Sequence, residues 1–129
     1  MLNYILVGLG GAIGSVLRFW LSGVFARGVG ETFPFGTLFV NVSGSFLIGI
    51  FAAASDPDGR WLLNPSARVF FMIGLCGGYT TFSSFSLQTL ALLQEGEWLR
   101  AGANVLGSVV LCIAAVWLGH FAGSILQRS

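Results

Sequence analysis

The sequence predicts an all-α integral membrane protein, a single membrane domain over residues 1–129 with four transmembrane helices of which the third is broken. Three observations carry that prediction. The chain is 55% hydrophobic and 9% charged, with a mean hydropathy of +0.85, a balance that belongs to a bilayer-embedded chain rather than to a soluble core. Its apolar residues fall into four runs of about 20 residues or more, the length needed to cross the hydrocarbon. The third run is interrupted by Gly77-Gly78-Tyr79-Thr80-Thr81-Phe82-Ser83-Ser84-Phe85-Ser86, where two helix-weakening glycines meet five Ser and Thr hydroxyls.

Taken in order, the spans are expected at about residues 2–25, 35–54, 66–93 and 99–126, with the break at 77–80. The connections carry turn punctuation: residues 28–34 after the first span, Asp56-Pro57-Asp58-Gly59-Arg60 after the second, and Gln94-Glu95-Gly96-Glu97 before the fourth. Trp20, Trp61 and Trp98 fit an interfacial aromatic belt. The first run has no basic leader and is too long for a cleaved segment, so it is expected to stay in the mature protein. Cys76 and Cys112 lie inside spans without metal-ligand spacing and read as small packing residues. Gly8 to Ile13 begins like a dinucleotide loop, but Ile13 fills the closing small-residue position and no strand precedes it. Gly10 with Gly14, and Ala115 with Gly119 and Gly123, have the small-xxx-small spacing of closely packed helices.

The polar content of the spans narrows the chemistry. Glu31, Asp56, Asp58, Glu95 and Glu97 all fall in or beside connections, so no carboxylate is left within the membrane. A small proton-coupled cation or drug exporter needs one there, which argues against that class. What remains is neutral and rich in hydrogen-bond donors, with one positive charge, and suits an anion. Thr37, Asn41 and Ser45 recur at four-residue intervals on one face of the second span, as do Asn104, Ser108 and Cys112 on the fourth. Phe82 and Phe85 share a face after the break, and their positive ring edges could contact a small anion. Arg18 lies inside the first span and reads as a structural residue that snorkels to the interface or meets a helix C-terminus or a carbonyl. A non-transporting membrane scaffold, in which the polar segment only packs, is the other alternative.

Charge leaves the orientation open. Arg60, Arg68 and Arg128 lie on the side of the termini and Arg27 and Arg100 on the other, a near balance compatible with insertion both ways. An inverted copy could then pair with the first, giving between chains the symmetry that many transporters build within one. Four thin helices enclose little on their own, so self-association is expected.

These residues resemble a known family, the small bacterial fluoride channels of the Fluc or CrcB type. The resemblance covers nearly the whole chain. It is most specific in Gly36-Thr37-Leu38-Phe39-Val40-Asn41-Val42-Ser43-Gly44 and in Gly74 to Ser86, with Arg18 in Leu17-Arg18-Phe19-Trp20 as a further match. It implies an antiparallel dual-topology homodimer in the bacterial inner membrane that passes fluoride out of the cytoplasm passively, without catalysis and without a nucleic-acid partner. It implies a structural sodium ion at the dimer centre, held by the backbone carbonyls of Gly77 and Thr80. It also implies a fluoride path over Asn41, Phe82, Phe85 and Ser108, with Ser83 and Ser84 nearby. Cys112 departs from the pattern, since a hydroxyl is expected there and a thiol is a weak donor.

Overall fold

A computed structural model describes residues 1–30, 32–59 and 62–128. Glu31, Arg60 and Trp61, named above for a connection, the charge count and the aromatic belt, lie outside the described residues.

Four helical stretches are long and apolar enough to cross a membrane: Leu2–Val29, Phe35–Ala53, Pro65–Gln94 and Trp98–Arg128. The first two are α1 (Leu2–Val29) and α2 (Phe35–Ala53). The third stretch is two helices, α3 over residues 65–79 and α4 (Phe82–Gln94), and the last is α5 (Trp98–Arg128). Some helix ends are set by local chemistry. Gly30 at φ 88° follows α1, a left-handed position suited to glycine, and Gly96 at φ 77° does the same in the turn before α5. At the start of α3, the Asn64 side chain accepts from the Ala67 amide at 2.8 Å, with Pro65 as the first helical residue.

The interior is rich in small and polar side chains, while most of the large apolar ones face outward. Val40 and Asn104 are the largest fully buried side chains. Leu, Ile, Val and Phe stand exposed along α1 and α5, the surface expected when lipid is the solvent. The helices associate through two close seams. α1 lies on α3, where a methyl added at Gly14 would land on the Leu75 carbonyl oxygen and 2.7 Å from the Tyr79 nitrogen. α2 lies on α5, where a methyl on Gly49 would land on the Val116 carbonyl. Gly10 and Gly14, and Ala115, Gly119 and Gly123, are all buried within these seams, so the two small-residue motifs are used inside one subunit.

The third span departs from expectation in two ways. Val69–Cys76 is wound as a π-helix, for which a wholly apolar run gives no signal. The break, expected at 77–80, falls at Thr80 and Thr81; Gly77–Tyr79 is still helical. Gly78 serves contact here rather than interruption, since a methyl on it would lie 2.6 Å from the Gly11 carbonyl oxygen. The two β-branched threonines adopt the extended conformation instead, with φ and ψ of −83° and 159° at Thr80 and −151° and 116° at Thr81.

Candidate functional site

Breaking a helix in a bilayer frees backbone groups that water cannot reach, and each needs a partner. Asn41 on α2 supplies two. Its Oδ1 accepts from the Thr81 amide at 2.7 Å and its Nδ2 donates to the Thr81 carbonyl at 3.0 Å. That reciprocal pair fixes which end of the amide is oxygen. It also leaves the second N–H of Nδ2 uncommitted.

The remaining partners are local. Thr80 sends both its amide and its Oγ1 to the Cys76 carbonyl, each at 3.0 Å. Thr81 Oγ1 caps α4 by accepting from the Ser84 amide at 3.1 Å. On the α3 side, Arg18 Nε donates to the Gly78 carbonyl at 3.2 Å, with Ser15 Oγ at 3.5 Å from the same oxygen. A cation at a helix C-terminus is favoured by the helix dipole as well. Tyr79 donates to Ser43 Oγ at 2.8 Å while Ser43 donates to the Val40 carbonyl, which ties the end of α3 to α2.

These bonds divert two amides from the carbonyls they would close on in a continuous helix. The Thr81 amide would meet Gly77 O, and the Ser84 amide would meet Thr80 O; both go to side chains instead. Gly77 and Thr80 therefore each present a carbonyl oxygen without its next-turn donor. Such oxygens fit a hard monovalent cation, which prefers neutral oxygen ligands.

A cleft of about 410 Å³ opens at the break. Its lining brings together Asn41, Phe82, Phe85, Ser108, Gly77 and Thr80, six of the residues named from sequence. Ser45 and Cys112 line it too, and Cys76 joins them at its buried end. The Phe82 and Phe85 rings lie 5.4 Å apart and tilted by 47°, with Phe82 79% exposed in the single chain. Gly44 sets how closely α2 approaches, because a methyl there would land on the Thr80 methyl. Ser83, Ser84 and Arg18 are not in the lining. Ser83 is exposed with its Oγ 3.3 Å from Thr81 Oγ1, and Ser84 contributes its backbone amide to the cap.

The sequence reading left out three side chains. Thr89 donates to the Phe85 carbonyl at 2.7 Å and accepts from Asn104 Nδ2 at 2.9 Å, and Ser108 donates to Asn104 Oδ1 at 3.4 Å. The polar stripe of α5 is thus wired to the aromatic helix through Thr89, whose place one turn after Phe85 was the available signal. Tyr79, given no role from sequence, is the buried tie described above. Gln88, one turn from Phe85, has a buried Oε1 with no hydrogen-bond partner among the described residues. It lines a second cleft of about 500 Å³ with Ser22, Thr37 and Glu95. Thr37 and Asn41 lie one helical turn apart, so the polar stripe of α2 runs from one cleft to the other.

A discontinuous membrane helix whose opened backbone borders a cleft set with a few polar side chains defines a class: multi-pass membrane proteins of the ion-conducting and transporting kind. Residues 5–120 match the family described as CrcB-like protein, Camphor Resistance (CrcB), and the chain belongs to that family. It is 59% identical over 128 residues to the fluoride-specific ion channel FluC of Paramagnetospirillum magneticum, covering 99% of this chain and 100% of that protein. It is 62% identical over 119 residues to the fluoride-specific ion channel FluC of Opitutus terrae, covering 92% and 90% of the two chains. The protein of the same name from Rhodospirillum rubrum is 58% identical over 127 residues, covering 98% of each chain.

Proposed function

We propose that this chain is a fluoride-selective channel, that the cleft at the broken third span is its ion path, and that it is not an enzyme. The single observation that carries the reading is the convergence of Asn41, Phe82, Phe85 and Ser108 on one cleft at the break. Relatives with 58% identity or more over nearly their whole length are named fluoride-specific ion channels. Asp56, Asp58, Glu95 and Glu97 all lie in the connections, which disfavours a proton-coupled cation exporter. The small-residue faces that a scaffold would offer to partners are spent inside the subunit.

In this reading the uncommitted N–H of Asn41 donates to the ion and the Ser108 hydroxyl lies further along the same path, while the positive ring edges of Phe82 and Phe85 replace water with weak contacts. The amide end of α4 adds the positive pole of its dipole beside Phe82. Ser83 and Ser84 act indirectly, through the cap of α4. No side chain lining the cleft carries a charge, so the ion is stripped of water without being trapped by a charged residue. An inside-negative potential drives a monovalent anion out by about 2.3 kcal/mol per 100 mV, about a fiftyfold concentration ratio.

The working unit is an antiparallel, dual-topology homodimer in the bacterial inner membrane. Phe82 and Gly77 lie uncovered in the single chain, and the cleft they line stays open on that side. An inverted second copy would cover them and complete the wall. The carbonyls of Gly77 and Thr80 from both copies would then hold a structural sodium ion, four oxygens around a hard cation. Fluoride release from liposomes holding the purified protein, followed with a fluoride electrode under a potassium–valinomycin potential, tests the proposal. Fast loss of fluoride with chloride retained is expected; equal release of both ions, or none, overturns it.

A further inference from the structure

We propose that the outer face of the last three turns of α5 is a binding site for an anionic phospholipid. Three residues spaced by one helical turn, His120, Ser124 and Arg128, form a polar strip there. Beside it, at the same spacing, runs an apolar strip of Trp117, Phe121 and Ile125. The two strips enclose a groove of about 180 Å³ lined by these six residues.

The groove has a polar side and an apolar side, and both are turned to the surroundings. Gly119, Gly123 and Gln127 hold the opposite face of the helix against α2 and the Gly59 turn. Trp117 and Phe121 stack at 6.1 Å and 16° and are 67% and 56% exposed. At the helix end, Arg128 is exposed and has no ion-pair partner among the described residues. A guanidinium at the membrane surface one turn from the Ser124 hydroxyl matches a phosphodiester in charge and in donors. The stacked rings, deeper along the same groove, match an acyl chain. A soluble anion would use only the first half of this surface. A phospholipid with a net negative headgroup satisfies both halves at once.

Native mass spectrometry of the detergent-purified channel, given phosphatidylglycerol and phosphatidylcholine at equal concentration, tests the assignment. The wild-type protein should retain phosphatidylglycerol about fivefold over phosphatidylcholine, the discrimination expected of one basic side chain near the headgroup. Arg128→Gln should bring the ratio close to one and Arg128→Lys should restore most of it. Trp117→Ala should lower retention of both lipids. Arg100→Gln, at the opposite end of α5 beside Glu97, should leave the ratio unchanged. Equal retention by the wild type, or an undiminished ratio in Arg128→Gln, overturns the site. An equal loss in Arg100→Gln would mean that net charge alone selects the lipid. A change of oligomer mass in Trp117→Ala would assign the groove to a second copy. The readout is bound lipid, so it does not depend on which ion the protein conducts.

Discussion

At the scale of single residues the site rests on Asn41. One side chain satisfies both backbone groups of Thr81, the residue at which the third span is open. Asn41→Ala strands a donor and an acceptor in a membrane interior. Such groups cost about 1–3 kcal/mol each when unpaired, so a clear fall in the thermal unfolding midpoint in detergent is expected. Asn41→Asp keeps the bond from the Thr81 amide and loses the one to its carbonyl, and should fall between the two. A midpoint unchanged in Asn41→Ala would refute the bridging role. Thr81→Val removes the cap on the Ser84 amide and should cost about 0.5–2 kcal/mol by the same measurement. Much of this was open to a reading of residue types: an amide one turn from Thr37 and Ser45, hydroxyls around a break, an arginine suited to a carbonyl. The partners were not. That Asn41 meets Thr81, forty positions away, and that Asn104 reaches Phe85 through Thr89, depends on how helices cross, which local pattern does not encode.

Among the elements, the two glycine seams place α1 and α2 against the helices that bear the cleft. Gly14→Ala should disturb the contact of α1 with α3, and Gly49→Ala that of α2 with α5, each by about 1–3 kcal/mol as backbones are forced apart. Gly28→Ala, in the last turn of α1 with nothing within 4 Å, should be neutral or slightly stabilising. Equal unfolding midpoints for Gly14→Ala and Gly28→Ala would contradict the seam. The four spans were legible because long apolar runs have one structural outcome in a bilayer. The position of the break was less so. Consecutive glycines read as a weak point, yet Gly77–Tyr79 stays helical with Gly78 packed on α1, and the chain opens at Thr80 and Thr81, where Asn41 and the Thr81 hydroxyl supply the missing bonds. The π winding of Val69–Cys76 left no mark on a uniformly apolar sequence.

The whole molecule poses the question of assembly. A single chain leaves Phe82 and Gly77 bare and presents only two of the carbonyls proposed to hold sodium. Purified protein should have the mass of two chains. Replacing sodium by N-methylglucamine should lower its unfolding midpoint, since a cation bound only by the assembled state stabilises it by mass action. A sodium-independent midpoint would argue against the central cation and leave the cleft untouched. The central claim, that the cleft at the break is the ion path, is tested most directly by fluoride efflux from liposomes containing Phe82→Ala, Phe85→Ala protein beside the wild type. The doubly substituted protein, folded and dimeric in detergent, is expected to lose fluoride flux about a hundredfold or more, as removing a few kcal/mol of contact from a conducting site requires. Flux equal to that of the wild type would place the path elsewhere in the molecule.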